Sequence, residues 1–343
     1  MHVISFAVAL LQSAGAQKDA PPPLPPISAP PVAGAGGAAA SALKPGVLPS
    51  DTDPKAQAAW ERTCRGRLVD GGAAPPLPVH AFDLQIDVRH RSAQNQTNDS
   101  TAPLRLRYLS PRFLRMTTSA GRELLRGQGG DYLLDPTRHE TIALTPTSRE
   151  NTQDLRQLDE TVGIAQNFVA LTDPSALRIA SLRLAPTAPA TLPPSVAKRV
   201  SEFELAWLEL RTPDFHLVGA QPRTDSIAPP PGASAPGSIV PPPGTPSLVR
   251  VWLGTNAKTG AVELALVDAS SATSTLSSAA VLLDLRNYAP IDGYSMPQTI
   301  HVYDVDSSRF PPAFAAEPGT QLGVHAKSAS LHPALQPADF EPR

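Results

Sequence analysis

Residues 281–305 read VLLDLRNYAPIDGYSMPQTIHVYDV, two strand-like runs on either side of Asp292-Gly293. The spacing predicts strands over Val281–Tyr288 and Met296–Val305 joined by a short turn. Strands joined by turns this short must lie antiparallel. The same pattern recurs upstream. AFDLQIDVRH puts Phe82, Leu84, Ile86 and Val88 on one face and Asp83, Gln85, Asp87 and Arg89 on the other. PLRLRY repeats it with Leu104, Leu106 and Tyr108 against Arg105 and Arg107, and RFLRMTT adds Leu114 and Met116. Shorter strands are expected at Glu123–Arg126, Tyr132–Leu134 and Thr141–Leu144. After a proline-rich loop, SEFELAWLELRTPDFHLVG, SLVRVWLG and AVELALV continue the set. Val249, Val251 and Leu253 are expected on one face, and Val262, Leu264 and Leu266 on one face of the next strand.

One segment breaks the alternation. TSRENTQDLRQLDETVGIAQNFVALTDP places Leu155, Leu158, Val162, Ala165, Phe168 and Leu171 at steps of three and four, an amphipathic helix. Thr147 with Glu150 offers a capping box and Pro174 a stop. Gly163 inside it points to a kink or a close backbone approach. A shorter helix is expected from Asp53 to about Arg65, with Asp53 as cap, Pro54 in the first turn and Trp60 as anchor. About ten antiparallel strands and one strong central helix give an α+β fold. The expected form is a strongly curved antiparallel sheet with helices against its concave face.

Composition sets the outer limits. The chain has 343 residues, with 40 prolines and 22 glycines gathered into tracts. About 220–250 residues remain for packing, enough for one core. The expected organisation is a signal peptide over 1–16 and a disordered proline/alanine-rich tether over 17–52. A single folded domain follows over 53–306, interrupted by a disordered proline-rich loop at 222–246, and then a proline-rich tail over 307–343. The apolar run Val3–Leu11 followed by Ala14-Gly15-Ala16 fits a secretory signal cut before Gln17, although Met1-His2 brings no basic residue. The run is too short to span a bilayer, which takes about 20 residues. No cysteine follows it, so N-terminal lipidation is not expected. Asn95 and Asn98 open formal glycosylation sequons in a polar loop.

Net charge is −2, from 29 basic and 31 acidic residues with no basic stripe, which argues against nucleic acid. Charged residues are 17 % and aromatics 5 %, so the core must be aliphatic. The single cysteine, Cys64, allows no internal disulfide and reads as a small buried hydrophobe. The eight histidines, from His2 to His332, show no metal-ligand spacing. His301 sits on a strand face where a ligand mouth is one reading and an outer surface the other. There is no nucleophile elbow, P-loop or dinucleotide fingerprint. GQGG at 127–130 is read as a turn, with no following helix to hold phosphate. Asp83 and Asp87 read as solvated. No enzyme activity, cofactor or metal is expected.

Three passages carry a family resemblance: LRYLSPRFLRM (106–116), GQGGDYLLDPTRHETIAL (127–144) and the opening stretch with Tyr288, Asp292-Gly293 and Pro297. Their strand-turn patterns resemble the bacterial periplasmic lipoprotein-carrier (LolA-like) superfamily over roughly residues 55–305. The resemblance implies an unclosed β-barrel, a half-barrel with helices plugging its mouth. It also implies a periplasmic, non-enzymatic carrier or sensor that binds acyl chains of lipid or of lipid-modified protein. The candidate cavity wall is Leu84, Ile86, Leu104, Leu106, Leu114, Met116, Val249, Val251, Leu264 and Leu266, plugged by Leu155, Leu158, Val162 and Phe168. The carriers have an arginine just before the proline of the first passage. Here that position is Ser110, a departure that bears on shuttling and leaves the fold expectation untouched. The alternative is a cell-envelope interaction module with a filled core, whose proline tracts reach a protein partner.

Overall fold

The computed structural model describes residues 43–69, 78–90, 102–145, 152–215, 248–268, 280–306 and 313–342. The signal and most of the tether, the Thr147–Glu150 capping box, both sequons and the 222–246 loop lie outside the described residues.

Helix α1 (Pro54–Gly66) starts as its sequence dictates. The Asp53 carboxylate accepts from the amides of Lys55 at 2.8 Å and Ala56 at 3.3 Å, and Pro54 supplies a first-turn residue with no N–H to waste. It buries Ala56, Ala59, Trp60 and Thr63. Six strands follow: β1 (Ala81–His90), β2 (Ala102–Leu109), β3 (Phe113–Thr118), β4 (Glu123–Arg126), β5 (Asp131–Asp135) and β6 (Glu140–Leu144). Each pairs antiparallel with the next. Helix α2 (Thr152–Thr172) runs unbroken through Gly163.

A second meander then forms: β7 (Ser181–Ala185), the short helix α3 (Pro194–Val200), β8 (Leu205–Thr212), β9 (Val249–Asn256), β10 (Val262–Asp268), β11 (Val281–Ile291) and β12 (Tyr294–Asp306). In the β11–β12 hairpin, Asp292 and Gly293 have φ of 49° and 84°. Two left-handed residues suit the tight turn whose twist matches paired strands. Ile291 pairs with Tyr294 across it, and the ladder continues back to Val281 and Asp304.

The last strand is β14 (Thr320–Val324), and the sheet holds 14 strands among the described residues, ordered β6-β5-β4-β3-β2-β1-β14-β12-β11-β10-β9-β8-β7, with β13 (Ala313–Phe314) paired to β12. It is open, with β6 and β7 at its two ends. The fold is thus an α+β half-barrel whose curled sheet holds α1 and α2. Three apolar clusters fill it. The first joins the β1–β6 face to α2 and the β11–β12 hairpin tip. The second joins α1 and the end of α2 to the β7–β12 half. The third lies under α3 on the opposite face of that half.

Three expectations need correction. The sequence points to a proline-rich tail over 307–343, yet β14 (Thr320–Val324) is inserted between β1 and β12 and joins the two meanders into one sheet. The expected tether extends through residue 52, but Leu48 packs against the second cluster and the Gly46 amide donates to the Leu177 carbonyl at 3.0 Å. Finally, Val262, Leu264 and Leu266 do not share a face. Val262 belongs to the second cluster, whereas Leu264 and Leu266 belong to the third. The register shifts between Val262 and Leu264, and a bulge there turns the rest of the strand over.

Candidate functional site

The wall under α2 is built by register. Leu84 pairs with Leu106, Leu106 with Met116, Met116 with Leu124, Leu124 with Leu133 and Leu133 with Ile142. Cross-strand partners project to the same face, so this is a continuous apolar row across six strands. Ile86 and Leu104 form the next pair on one side, and Phe82, Tyr108 and Leu114 the next on the other. Phe82 stacks on Tyr108 at 5.3 Å and meets Phe168 of α2 edge-on at 5.2 Å.

Six of the ten wall residues expected from sequence, Leu84, Ile86, Leu104, Leu106, Leu114 and Met116, therefore meet under α2. So do all four plug residues: Leu158 and Val162 are buried, while Leu155 and Phe168 are partly buried against the same cluster. Val249 and Val251 are packed under α1 instead, and Leu264 and Leu266 under α3. Leu124, Leu133 and Ile142 were missed because their strands are too short to show a period. Their signal was the ladder itself, which continues the Leu106–Met116 row.

The helix is seated imperfectly. Gln157, Thr161 and Thr172 are buried with the apolar residues. Both threonine hydroxyls donate back to carbonyls of their own helix, Gln157 at 2.7 Å and Phe168 at 2.8 Å. The Gln157 side-chain oxygen is buried without a hydrogen-bond partner. Such an unsatisfied acceptor costs about 1–3 kcal/mol. Around the rim, Arg122 donates to Asp154 at 2.9 Å, and Arg126 bridges Asp131 and Asp159 at 2.7 and 2.6 Å. The hydrogen bonds that Arg126 donates to the Asp131 and Asp159 carboxylates raise the pKa of its guanidinium against the opposing effect of burial.

At the β2–β3 turn the Pro111 carbonyl accepts from Gln166 of α2 at 2.9 Å and from the Tyr108 hydroxyl at 3.0 Å. Ser110 donates its amide to His80 at 2.8 Å, so Gln166 is what fastens α2 at this corner. At the far end of α2, Asp173 is buried, and its carboxylate accepts from the Arg67 guanidinium, from the Ser175 hydroxyl at 2.7 Å and from the Val79 amide at 3.3 Å. Arg67 lies over the Tyr294 ring at 5.3 Å, and burial pulls its pKa down.

Between α1, α2 and the β11–β12 hairpin lies a cavity of about 20 Å³, bordered by Thr63, Phe168, Thr172, Tyr288 and Ile300. That is room for about one water. Small-molecule sites typically measure about 300–1,000 Å³, so this cavity as it stands is too small for one.

Other polar groups singled out by the sequence are held within the fold. Burial pushes the Cys64 thiol up to about 11, which keeps it protonated and unreactive near neutrality. Asp83 is held by Arg105 at 2.7 Å and Arg107 at 3.2 Å, and Asp87 lies 2.8 Å from His325, so neither carboxylate is merely solvated. His301 pairs with buried Asp284 across β11–β12, away from the wall, and burial lowers its pKa. Among the described residues, no three His, Cys, Asp or Glu side chains cluster as a metal site, and no helix is long and apolar enough to cross a membrane.

No protein-family model and no curated protein matches the chain. Solved structures do. The chain is similar in structure to domains of the lipoprotein-sorting, LolA-like kind. A domain from Vibrio parahaemolyticus described as an outer membrane lipoprotein-sorting protein shares 12 % identity at a TM-score of 0.39, over 83 % of this chain and 95 % of that one. A LolA superfamily protein from Nitrosomonas europaea shares 14 % at a TM-score of 0.38, over 84 % and 97 %. The fold assignment rests on the strand order and pairing described above.

Proposed function

We propose that the chain is a periplasmic, non-enzymatic carrier or sensor of acyl chains, borne by a lipid or a lipid-modified protein, which are taken up on the β1–β6 wall when α2 lifts. The observation that carries this reading is the six-strand apolar row covered by a helix whose own sheet-facing stripe is partly polar. Lifting α2 exposes Leu155, Leu158, Val162 and Phe168, at about 1.5–3 kcal/mol each. A sixteen-carbon chain gains about 0.8 kcal/mol per methylene, roughly 10 kcal/mol before ordering costs. The two are of one size, so an acyl chain can replace the helix on the wall.

The test is native mass spectrometry of gently extracted protein together with titration by a fluorescent sixteen-carbon fatty acid. Bound lipid or saturable uptake is expected; neither appearing sinks the proposal. The small size of the cavity between α1, α2 and the hairpin supports a second reading, an envelope interaction module with no small ligand. There, deletion of residues 222–246 abolishes partner binding and fatty acid has no effect.

A further inference from the structure

The GQGG turn does hold an anion, and the anion belongs to this chain. The amides of Gln128 and Gly129 both donate to one side-chain oxygen of Glu341, at 2.6 and 3.2 Å. Consecutive backbone amides of this kind form an anion-binding concavity without needing a helix. Beside it on the outer face of β3, Phe340 is fully buried, with its ring 5.8 Å from that of Phe113. The Arg115 guanidinium, fixed by Glu123 at 2.8 and 3.0 Å, donates its third nitrogen to the Asp339 carbonyl at 2.8 Å. The bound segment is pre-shaped: Pro337–Phe340 forms a 3-10 turn in which the Asp339 carboxylate accepts from the Gln336 amide at 2.9 Å. Between this anchor and buried Leu331, the side chains of His332, Ala334, Gln336, Pro337 and Ala338 are exposed.

We infer that the outer face of β3–β5 is a peptide-recognition site for a partner segment presenting an aromatic residue followed by a carboxylate, and that residues 336–341 are its resident ligand. The receptor half is complete without the strap, since it consists of a ring surface, a guanidinium locked by Glu123 and two convergent amides. The ligand half is a short turn on an exposed arm. Departure of Glu341 leaves two amides aimed at the same point, an arrangement that suits a carboxylate. The inference is independent of acyl-chain binding, because it concerns the opposite face of the sheet.

The test uses the full chain and a fluorescein-labelled peptide of sequence QPADFEP, matching 336–342. In the unchanged chain the resident strap competes at the high effective concentration of a tethered ligand. The Phe340→Ala chain is therefore expected to bind the peptide about tenfold tighter or more than the unchanged chain. Peptides lacking the aromatic or the carboxylate are expected not to bind. Adding Gly127→Ala should abolish binding, because a Cβ there would lie 2.6 Å from the Phe340 carbonyl and 2.7 Å from the Glu341 carboxylate, both on the occupant. A natively folded Phe340→Ala chain that binds the peptide no better than the unchanged one overturns the inference. If that variant does not fold, Glu341→Gln, which keeps Phe340, takes its place in the same titration under the same two outcomes. A dimer that the peptide converts to monomer assigns the site to a second copy of this chain and overturns the partner reading.

Discussion

At the residue scale, buried charge decides where the molecule is brittle. Asp173 joins the end of α2 to Arg67 just after α1 and to Val79 just before β1, so three segments meet on one carboxylate. Removing one member of a buried pair strands the other, at about 3–5 kcal/mol. Asp173→Ala is expected to lose that much in urea unfolding. Asp304 behaves oppositely. Burial alone raises its carboxyl to about 6 from the usual 3.8. A carboxyl raised in the folded state stabilises it when protonated, and that contribution disappears as pH climbs. Stability should fall between about pH 4 and pH 6 by roughly 2 kcal/mol. Asp304→Asn is expected to flatten this slope in unfolding curves taken across that range. Reading Asp83 and Asp87 as solvated missed their arginine and histidine partners, because those partners come from other strands.

At the scale of elements, legibility follows how many faces of a strand are buried. In β1 and β2 one face meets α2 and the other carries Asp83, Asp87, Arg105 and Arg107, so alternation is visible and the sequence assigns Leu84, Ile86, Leu104 and Leu106 to the face that α2 covers. In β10 both faces are buried, one under α1 and one under α3, and the alternation carries no sidedness. The bulge after Val262 is a backbone event that no side chain announces. Helix α3, seven residues long, is too short for a helical period. For α2, the rim pairs are the adjustable part. Arg122→Gln combined with Arg126→Gln is expected to weaken the seat by about 1 kcal/mol. Hydrogen exchange of α2 amides then rises about fivefold while β1–β3 keep their protection. Fatty-acid uptake by that variant should rise with it.

At the scale of the whole molecule, the two meanders join into one sheet, among the described residues, through β14, whose five residues come last of the strands and fill the gap between β1 and β12. Nothing local in Thr320–Val324 reports this. The stretch holds a glycine, lies among prolines and lacks clear alternation, and its partners are more than two hundred residues away on one side. Truncation after Asp306 is therefore expected to give insoluble or unfolded chain by circular dichroism, where a true tail would leave the fold intact. The open sheet curled round α2 was foreseen from the order of elements; the strand that closes its middle was not.

The most direct measurement is hydrogen exchange at Leu158, Val162 and Ala165 of the unchanged full chain, with and without a sixteen-carbon fatty acid. Saturating fatty acid should speed exchange at these three amides while the Leu84–Leu106–Met116 row stays protected. Identical exchange with and without fatty acid, at concentrations well above micromolar, would contradict an acyl chain taking the helix's place.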